Sequence, residues 1–213
     1  MFEGTLATQI IVFAAFLYSV VLHEVAHGYI AEALGDPTAR YEGRLTLNPF
    51  PHLDPMGSVL LPLILAMSGA PVFGYAKPVP YDPNKLRNRR WDPIKVMAAG
   101  PLTNIAIAVA LGLFLRFLTG AGMASPVMAQ ILGTVVFLNL ILAAFNLIPL
   151  PPFDGRLFLG IISPILLYRW EIAFGRMGAM GWLIGLFVGL FIIFPVVFPL
   201  VPVVFQVITG VPL

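Results

Sequence analysis

The stretch Leu22-His23-Glu24-Val25-Ala26-His27-Gly28 lies within an apolar segment of the chain. A charged residue such as Glu24 is energetically costly at that depth unless it has a partner or a function. The spacing His-Glu-x-x-His places His23 and His27 one helical turn apart on the same face of a helix, where both imidazoles can bind one Zn²⁺ and Glu24 can act as a base for an attacking water. The stretch therefore predicts part of a catalytic metal site inside a membrane helix.

The composition around this stretch indicates a membrane protein. Of the 213 residues, 59% are hydrophobic and 10% are charged, which is unlike a water-soluble domain. The net charge is only +2, and half of the 12 basic residues lie in one connection, residues 77–95. Such a cluster is typical of a cytoplasmic loop and does not indicate nucleic-acid binding. Cysteine is absent, so a metal would have to be held by His and carboxylate side chains.

The long apolar segments predict an all-α polytopic membrane protein, with residues 1–213 forming a single membrane-embedded domain of about five to six membrane helices. Residues 5–34 contain no helix-breaking signal before Gly35-Asp36-Pro37. We expect them to form one helix that is retained rather than cleaved as a signal peptide. Residues 94–118 and 127–148 are each long enough to span a bilayer and predict a hairpin of two helices.

The remaining apolar segments are shorter or interrupted. Residues 56–70 contain Pro62 and are short for a span, so we include them in the count as a re-entrant helix. Residues 157–168 are followed by charged residues, and residues 177–208 predict either one span with an amphipathic tail or two short spans divided by prolines. Residues 40–47 predict a short strand-like segment whose edge could bind an extended substrate.

The basic connection predicts the orientation of the protein. With residues 77–95 in the cytoplasm, the third long segment runs outward and the fourth returns, which brings Asp154 to the cytoplasmic side. His23 and His27 reach the same side if the first helix runs from outside to inside. We therefore expect a multi-pass protein of the cell membrane whose metal site lies toward the cytoplasm.

A catalytic zinc site requires three protein ligands and one open position, and the His-Glu-x-x-His stretch supplies two ligands. The metzincin continuation would need Gly and His at positions occupied by Ile30 and Ala33, so it is absent. The remaining candidates are His52 and the carboxylates. Asp154 has the strongest reason to face a metal, because it lies between apolar segments where an unpaired carboxylate is disfavoured.

Four motifs in this order resemble the site-2 protease family of intramembrane zinc metalloproteases, in its compact form without PDZ or CBS domains. They are His23-Glu24-Val25-Ala26-His27, the run from Asn48 to Gly57, Ala99-Gly100-Pro101-Leu102-Thr103-Asn104, and the run from Asn146 to Gly155. Together they cover the chain from about residue 5 to residue 160. Phe153 departs from the Leu that the family usually has before Asp-Gly, but it is also apolar.

The resemblance implies one zinc per chain, bound by His23, His27 and Asp154, with Glu24 as the general base. It also implies that Asn146 lies near the active site. We expect Asn146 or Asn104 to contact the substrate or to stabilise the oxyanion, and His52 to have an accessory role. The implied partners are a transmembrane protein substrate and the lipid bilayer, whereas the oligomeric state is undetermined.

A metal-binding membrane transporter or sensor would also place His and Asp side chains between helices. Glu24 distinguishes the two functions, because a transporter needs no base beside the metal. A transporter should therefore tolerate Glu24→Gln for metal movement, whereas a protease should not tolerate it for cleavage.

Overall fold

The computed structural model describes residues 5–60, 63, 64, 67 and 76–213. Within these residues the chain forms helices and turns and no β-strand, which confirms the all-α prediction. Four helices are long and apolar enough to cross a membrane: Leu6–Ala33, Asp92–Gly120, Pro126–Asn146 and Met180–Val197. Among the described residues the number of spans is therefore smaller than predicted.

The helices are numbered in chain order. They are α1 (Leu6–Ala33), α2 (Thr38–Tyr41), α3 (Asp92–Gly120), α4 (Pro126–Asn146), α5 (Leu157–Ile162), α6 (Pro164–Arg176), α7 (Ala179–Val188), α8 (Phe194–Val197) and α9 (Leu200–Thr209). Short 3₁₀ turns occur at Phe50–His52 and Asp154–Arg156, and π-helical turns occur at Pro55–Leu60 and Gly189–Ile193.

Helix α1 is continuous, as predicted for residues 5–34. Thr5 caps its first turn, since its hydroxyl accepts a hydrogen bond from the Thr8 amide at 3.3 Å. The buried positions of α1 include Ser19, His23, Gly28 and Ala31, whereas large apolar side chains such as Phe13 are exposed. Small and polar residues that face the protein, with apolar residues outside, are typical of a helix surrounded by lipid.

Helices α3 and α4 form the predicted hairpin, and both pack against α1. Ser125 caps α4 through the Met128 amide, and Pro126 occupies the first turn, where its missing N–H is not needed. A core of buried side chains joins α3 and α4 to α9: Ala108, Val136, Phe137, Leu140, Val201 and Phe205. Helices α1, α3 and α4 together form the scaffold on which the candidate site is built.

The count of spans differs from the prediction for two reasons. Seven of the 15 residues of the predicted re-entrant segment, 56–70, lie outside the described residues, and the described ones are the π-helical turn up to Leu60 and positions 63, 64 and 67. The apolar stretch after Asp154 is divided at Ser163-Pro164 into α5 and α6, both too short to span. The last apolar stretch forms one span, Met180–Val197, followed by the shorter apolar helix α9.

The prediction of a strand-like segment at residues 40–47 is wrong. The chain forms the short helix α2 and then turns at Gly43, whose φ is +66°. The Gly43 and Arg44 amides donate to the carbonyls of Arg40 and Ala39, both at 2.9 Å. These helix-closing bonds use the backbone groups that a strand pair would need, so local turn chemistry outweighs the alternating side-chain pattern.

A tight turn after α4 places Asp154. A Cβ atom on Gly155 would lie 2.2 Å from the backbone carbonyl of Leu147, so only glycine lets the chain fold back on the end of α4 at this point. The 3₁₀ turn Asp154–Arg156 then packs against α3. This turn sets the Asp154 carboxylate beside the two histidines of α1.

Candidate metal centre

His23, His27 and Asp154 lie together between α1, α3 and the turn after α4, and they are a group of side chains that could hold a metal ion. The Nε2 atom of His23 lies 3.1 Å from Asp154 Oδ2 and 3.1 Å from His27 Nε2. The Nε2 atom of His27 lies 3.2 Å from the same Asp154 oxygen. Three potential ligand atoms therefore form an almost equilateral triangle.

The size of this triangle fits zinc. Tetrahedral coordination with bonds of 2.0–2.1 Å separates neighbouring ligand atoms by about 3.3 Å, which is close to the observed separations. Two histidines and one carboxylate are also a ligand set found in catalytic zinc sites, where the fourth position is kept for water or substrate. The donor set and its spacing therefore match the metal that the sequence predicts.

The protonation of the two rings gives a second reason to place a cation here. His23 Nδ1 donates to Asn104 Oδ1 at 2.5 Å, and His27 Nδ1 donates to the Val96 carbonyl at 2.7 Å. In a neutral imidazole the other nitrogen, Nε2, then carries a lone pair and no proton. With both rings neutral, two such lone pairs and the Asp154 carboxylate converge on one point, which is the arrangement that a bound cation requires.

Glycine at position 100 of α3 makes room for the ligand atoms. A Cβ atom there would lie 2.4 Å from His23 Nε2 and 2.5 Å from His27 Nε2. Real Cβ atoms do not approach other atoms so closely, so any side chain at this position would displace the imidazoles. Gly100 belongs to a motif quoted above, but its steric role becomes visible only when α3 is packed on α1.

A buried chain of hydrogen bonds extends from His23 into the bundle. The Asn104 amide donates from Nδ2 to Asn139 Oδ1 at 3.0 Å. Asn139 in turn donates to Ser19 Oγ at 3.0 Å and to the Val135 carbonyl at 2.9 Å. Both asparagines are completely buried.

The donor-to-acceptor direction of these hydrogen bonds is fixed by the contact between Asn139 and the Val135 carbonyl. The Val135 carbonyl can only accept, so the Nδ2 group of Asn139 must face it, and Asn139 Oδ1 must face Asn104. Asn104 Oδ1 must then face His23, which places the ring proton on Nδ1. Sequence reasoning missed Asn139 and Ser19. The available signal was the Asn139 amide in an otherwise apolar span, and such amides also occur where helices simply pack together.

The two asparagines predicted near the site occupy different environments. Asn104 contacts His23 directly, and both ends of its amide are engaged within the protein. Asn146 lies at the end of α4 and donates to the Leu142 carbonyl at 3.0 Å. Within the described part of the chain, no hydrogen bond joins Asn146 to the three ligand candidates.

His52 lies outside the group of ligand candidates. It is 1% exposed, and its Nε2 donates to the Thr46 carbonyl at 2.9 Å. Its Nδ1 atom has no hydrogen-bond partner among the described residues. The structure therefore places His52 in the connection after α2 and does not bring it to the metal centre.

Glu24 follows the first ligand candidate on α1 and is half-buried. One of its carboxylate oxygens, Oε2, accepts a hydrogen bond from the Val79 amide at 2.9 Å. Because the other oxygen is not used in this contact, the carboxylate retains an acceptor for a proton. Val79 is a further neighbour of the site that sequence reasoning missed, since a backbone donor leaves no trace in side-chain chemistry.

Curated relatives share most of this chain. It is 39% identical over 155 residues to "Putative zinc metalloprotease YwhC" of Bacillus subtilis, covering 70% of this chain and 67% of that protein. It is 34% identical over 177 residues to "Putative zinc metalloprotease Rip2" of Mycolicibacterium smegmatis, covering 82% of this chain and 64% of that protein. With Rip2 of Mycobacterium tuberculosis strain H37Rv, the identity is 33% over 150 residues, covering 68% and 54%.

The chain thus spans about two thirds or less of the length of these relatives. No family model matches it, and no solved structure matches it significantly. These relatives are named as zinc metalloproteases, and the four apolar helices of this chain indicate a membrane protein.

Proposed function

The chain belongs to the site-2 protease family of zinc metalloproteases, and on that premise we propose that it hydrolyses peptide bonds in or near the transmembrane segments of membrane proteins. The observation that carries this proposal is the triangle of His23 Nε2, His27 Nε2 and Asp154 Oδ2, with edges of 3.1–3.2 Å, in a bundle of apolar helices. These three residues would hold one zinc ion per chain.

A zinc ion bound there would supply Lewis acidity, which polarises a peptide carbonyl and makes water a stronger nucleophile at neutral pH. Glu24 accepts the proton of the attacking water and returns it to the nitrogen of the leaving amine. Asn104 holds the His23 ring with its proton on Nδ1, and therefore keeps Nε2 available as a ligand. Asn146 remains a candidate for contact with the substrate or the oxyanion.

The location of the site supports a membrane substrate. His27 contacts the Val96 carbonyl, one residue after Lys95, so the metal centre lies at the end of α3 that follows the basic connection. Basic connections of this kind lie in the cytoplasm, and we therefore place the centre toward the cytoplasmic face of the cell membrane. A substrate helix has its backbone hydrogen bonds satisfied internally, so it must unwind locally before its peptide bond can reach Glu24.

The experiment combines zinc analysis with a cleavage assay on a candidate transmembrane substrate. Wild type purified in detergent should contain about one zinc per chain and cleave the substrate, and Asp154→Ala should lose both properties. Glu24→Gln should keep the zinc and lose cleavage. Retained cleavage in Glu24→Gln would refute the protease mechanism. Zinc transport that survives Glu24→Gln, without cleavage by the wild type, would support the transporter alternative.

A further inference from the structure

We propose that the backbone amide of Val79 positions the Glu24 carboxylate for proton transfer, so that residues 77–80 form a functional part of the site. This inference rests on the proposed function, because it assigns a positioning role toward the general base of that reaction. The segment Lys77-Pro78-Val79-Pro80 belongs to the connection that leads to α3 and forms neither helix nor strand. It is called the strap below.

The strap lies directly on α1 at the turn that carries Glu24. The Val79 amide donates to Glu24 Oε2 at 2.9 Å, and the Val79 side chain is buried. Gly28, one helical turn after Glu24, permits this approach. A Cβ atom at Gly28 would lie 3.0 Å from Val79 Cγ1 and 2.4 Å from Leu45 Cδ2. Because Gly28 has no side chain, Val79 can pack closely against α1 at this position.

Two buried residues fix the start of the strap. The Lys77 amide donates to the His52 carbonyl at 2.8 Å, and Arg44 Nη2 donates to the Lys77 carbonyl at 2.7 Å. Arg44 is 5% exposed and His52 is 1% exposed, so both anchors are protected from water. Both backbone polar groups of Lys77 are thus engaged two residues before the Val79 amide. This arrangement also gives His52 a structural role without direct contact with a metal.

The two prolines restrict the strap further. Proline fixes its own φ, and the residue before a proline is confined to extended conformations. Val79 precedes Pro80, which disfavours a helical backbone at Val79 and favours an extended one. Neither proline has an N–H group, so Val79 is the one backbone donor between Pro78 and Pro80. The strap therefore has two backbone donors: the Lys77 amide binds the His52 carbonyl, and the Val79 amide binds Glu24.

Such a donor matters because a glutamate carboxylate otherwise turns freely. The terminal torsion of Glu is broad, and an unrestrained carboxylate would spend time in orientations unsuited to proton transfer. A hydrogen bond from a fixed amide to Oε2 holds the carboxylate plane and leaves Oε1 as the proton acceptor. Precise support of a reacting group by its neighbours is a general requirement for efficient catalysis.

The test compares two substitutions at the same position. Val79→Pro removes the N–H group and is compatible with extended backbone, whereas Val79→Ala keeps the N–H group and removes the side-chain packing. We expect kcat of Val79→Pro to be at least about tenfold below that of Val79→Ala, with similar KM and equal zinc content in the two variants. Equal kcat values in the two variants would overturn the inference.

A third variant tests the inference if Val79→Pro does not fold. Replacing Val79 by its α-hydroxy acid through nonsense suppression removes only the N–H group, and it should lower kcat by a similar factor. Amide hydrogen exchange gives a readout that does not depend on activity: the Val79 amide should exchange more slowly in the wild type than in Glu24→Ala, and equal exchange would refute the contact. A wild type that does not cleave in a zinc-dependent way would refute the proposed function itself. A cleaving wild type with an active ester variant would refute only the role of Val79.

Discussion

The Nε2 atom of His23 lies 3.1 Å from the Oδ2 atom of Asp154, although 131 positions separate the two residues in the chain. The approach depends on two glycines. Gly100 removes side-chain bulk from the face of α3 beside the imidazoles, and Gly155 lets the chain turn back against the end of α4. The geometry of the candidate metal centre is therefore set by backbone packing as much as by the ligand side chains.

Substitution of Gly100 should weaken metal binding directly. In Gly100→Ala the new Cβ would meet both histidine Nε2 atoms, and we expect zinc affinity to fall by more than about tenfold. Gly112→Ala is a matched control on the same helix, because its Cβ would meet the Ile208 side chain, far along α3 from the ligand candidates. Competition titration with a zinc chelator measures both variants. Equal zinc affinity in the two would contradict the steric role of Gly100.

Asn139 should act on the metal through Asn104. In Asn139→Leu the Asn104 amide loses its buried acceptor, and the orientation that keeps the proton on His23 Nδ1 is no longer fixed. Loss of such an outer hydrogen bond typically costs 10–100-fold in metal affinity, and we expect an effect of about that size. Zinc titration of Asn139→Leu, Asn104→Ala and the double variant measures the coupling. Additive losses would show that the two residues act independently.

Removal of the metal should destabilise the wild type. Three potential ligand atoms lie 3.1–3.2 Å apart in the folded protein, and a metal that binds this folded arrangement also stabilises it. We therefore expect a chelator to lower the Tm of the wild type in detergent. The Tm of Asp154→Ala should not respond, because that variant has already lost the carboxylate. A wild-type Tm that is insensitive to the chelator would argue against a zinc site.

Asp36 should make the stability of the protein depend on pH in the acid range. Burial by itself would raise the pKa of the Asp36 carboxyl, but hydrogen bonds from Thr38 and from the Asp82 amide lower it below its usual value of 3.8. Because the pKa is lower in the folded state, the stabilisation is present above the usual pKa and is lost as the pH falls below about 4. In Asp36→Asn we expect the free energy of unfolding to be about 1–3 kcal/mol lower than in the wild type at neutral pH.

The measurement is the Tm in detergent between pH 6 and pH 3. The lowered pKa of Asp36 determines the expected direction of the change in Tm. The Tm of the wild type should fall more steeply at the acid end than the Tm of Asp36→Asn. Glu42→Gln, which changes an exposed carboxylate just after α2, is the matched control and should retain the wild-type slope. The same slope in Asp36→Asn and wild type would contradict the assignment.

The predictions that succeeded were those that depend on local chemistry. The bounds of α1 followed from an uninterrupted apolar segment and its Gly-Asp-Pro stop, and the α3 and α4 hairpin followed from segment length. The prediction at residues 40–47 failed for a local reason as well. There Gly43 and the turn after α2 outweighed a weak alternation of side chains. The re-entrant helix at residues 56–70 stays a prediction, because several of these residues lie outside the described part of the chain.

By itself the sequence determined that His23 and His27 share one face of a membrane helix, because an interval of four residues is one helical turn. It also selected Asp154, since a carboxylate between apolar segments needs a counter-charge. Only the tertiary structure decided which residues surround these side chains: Gly100 against the imidazoles, Asn139 behind Asn104, and the Val79 amide on Glu24. The physical reason is that close packing and backbone hydrogen bonds depend on distances between segments far apart in the chain, and no local pattern of residues records those distances.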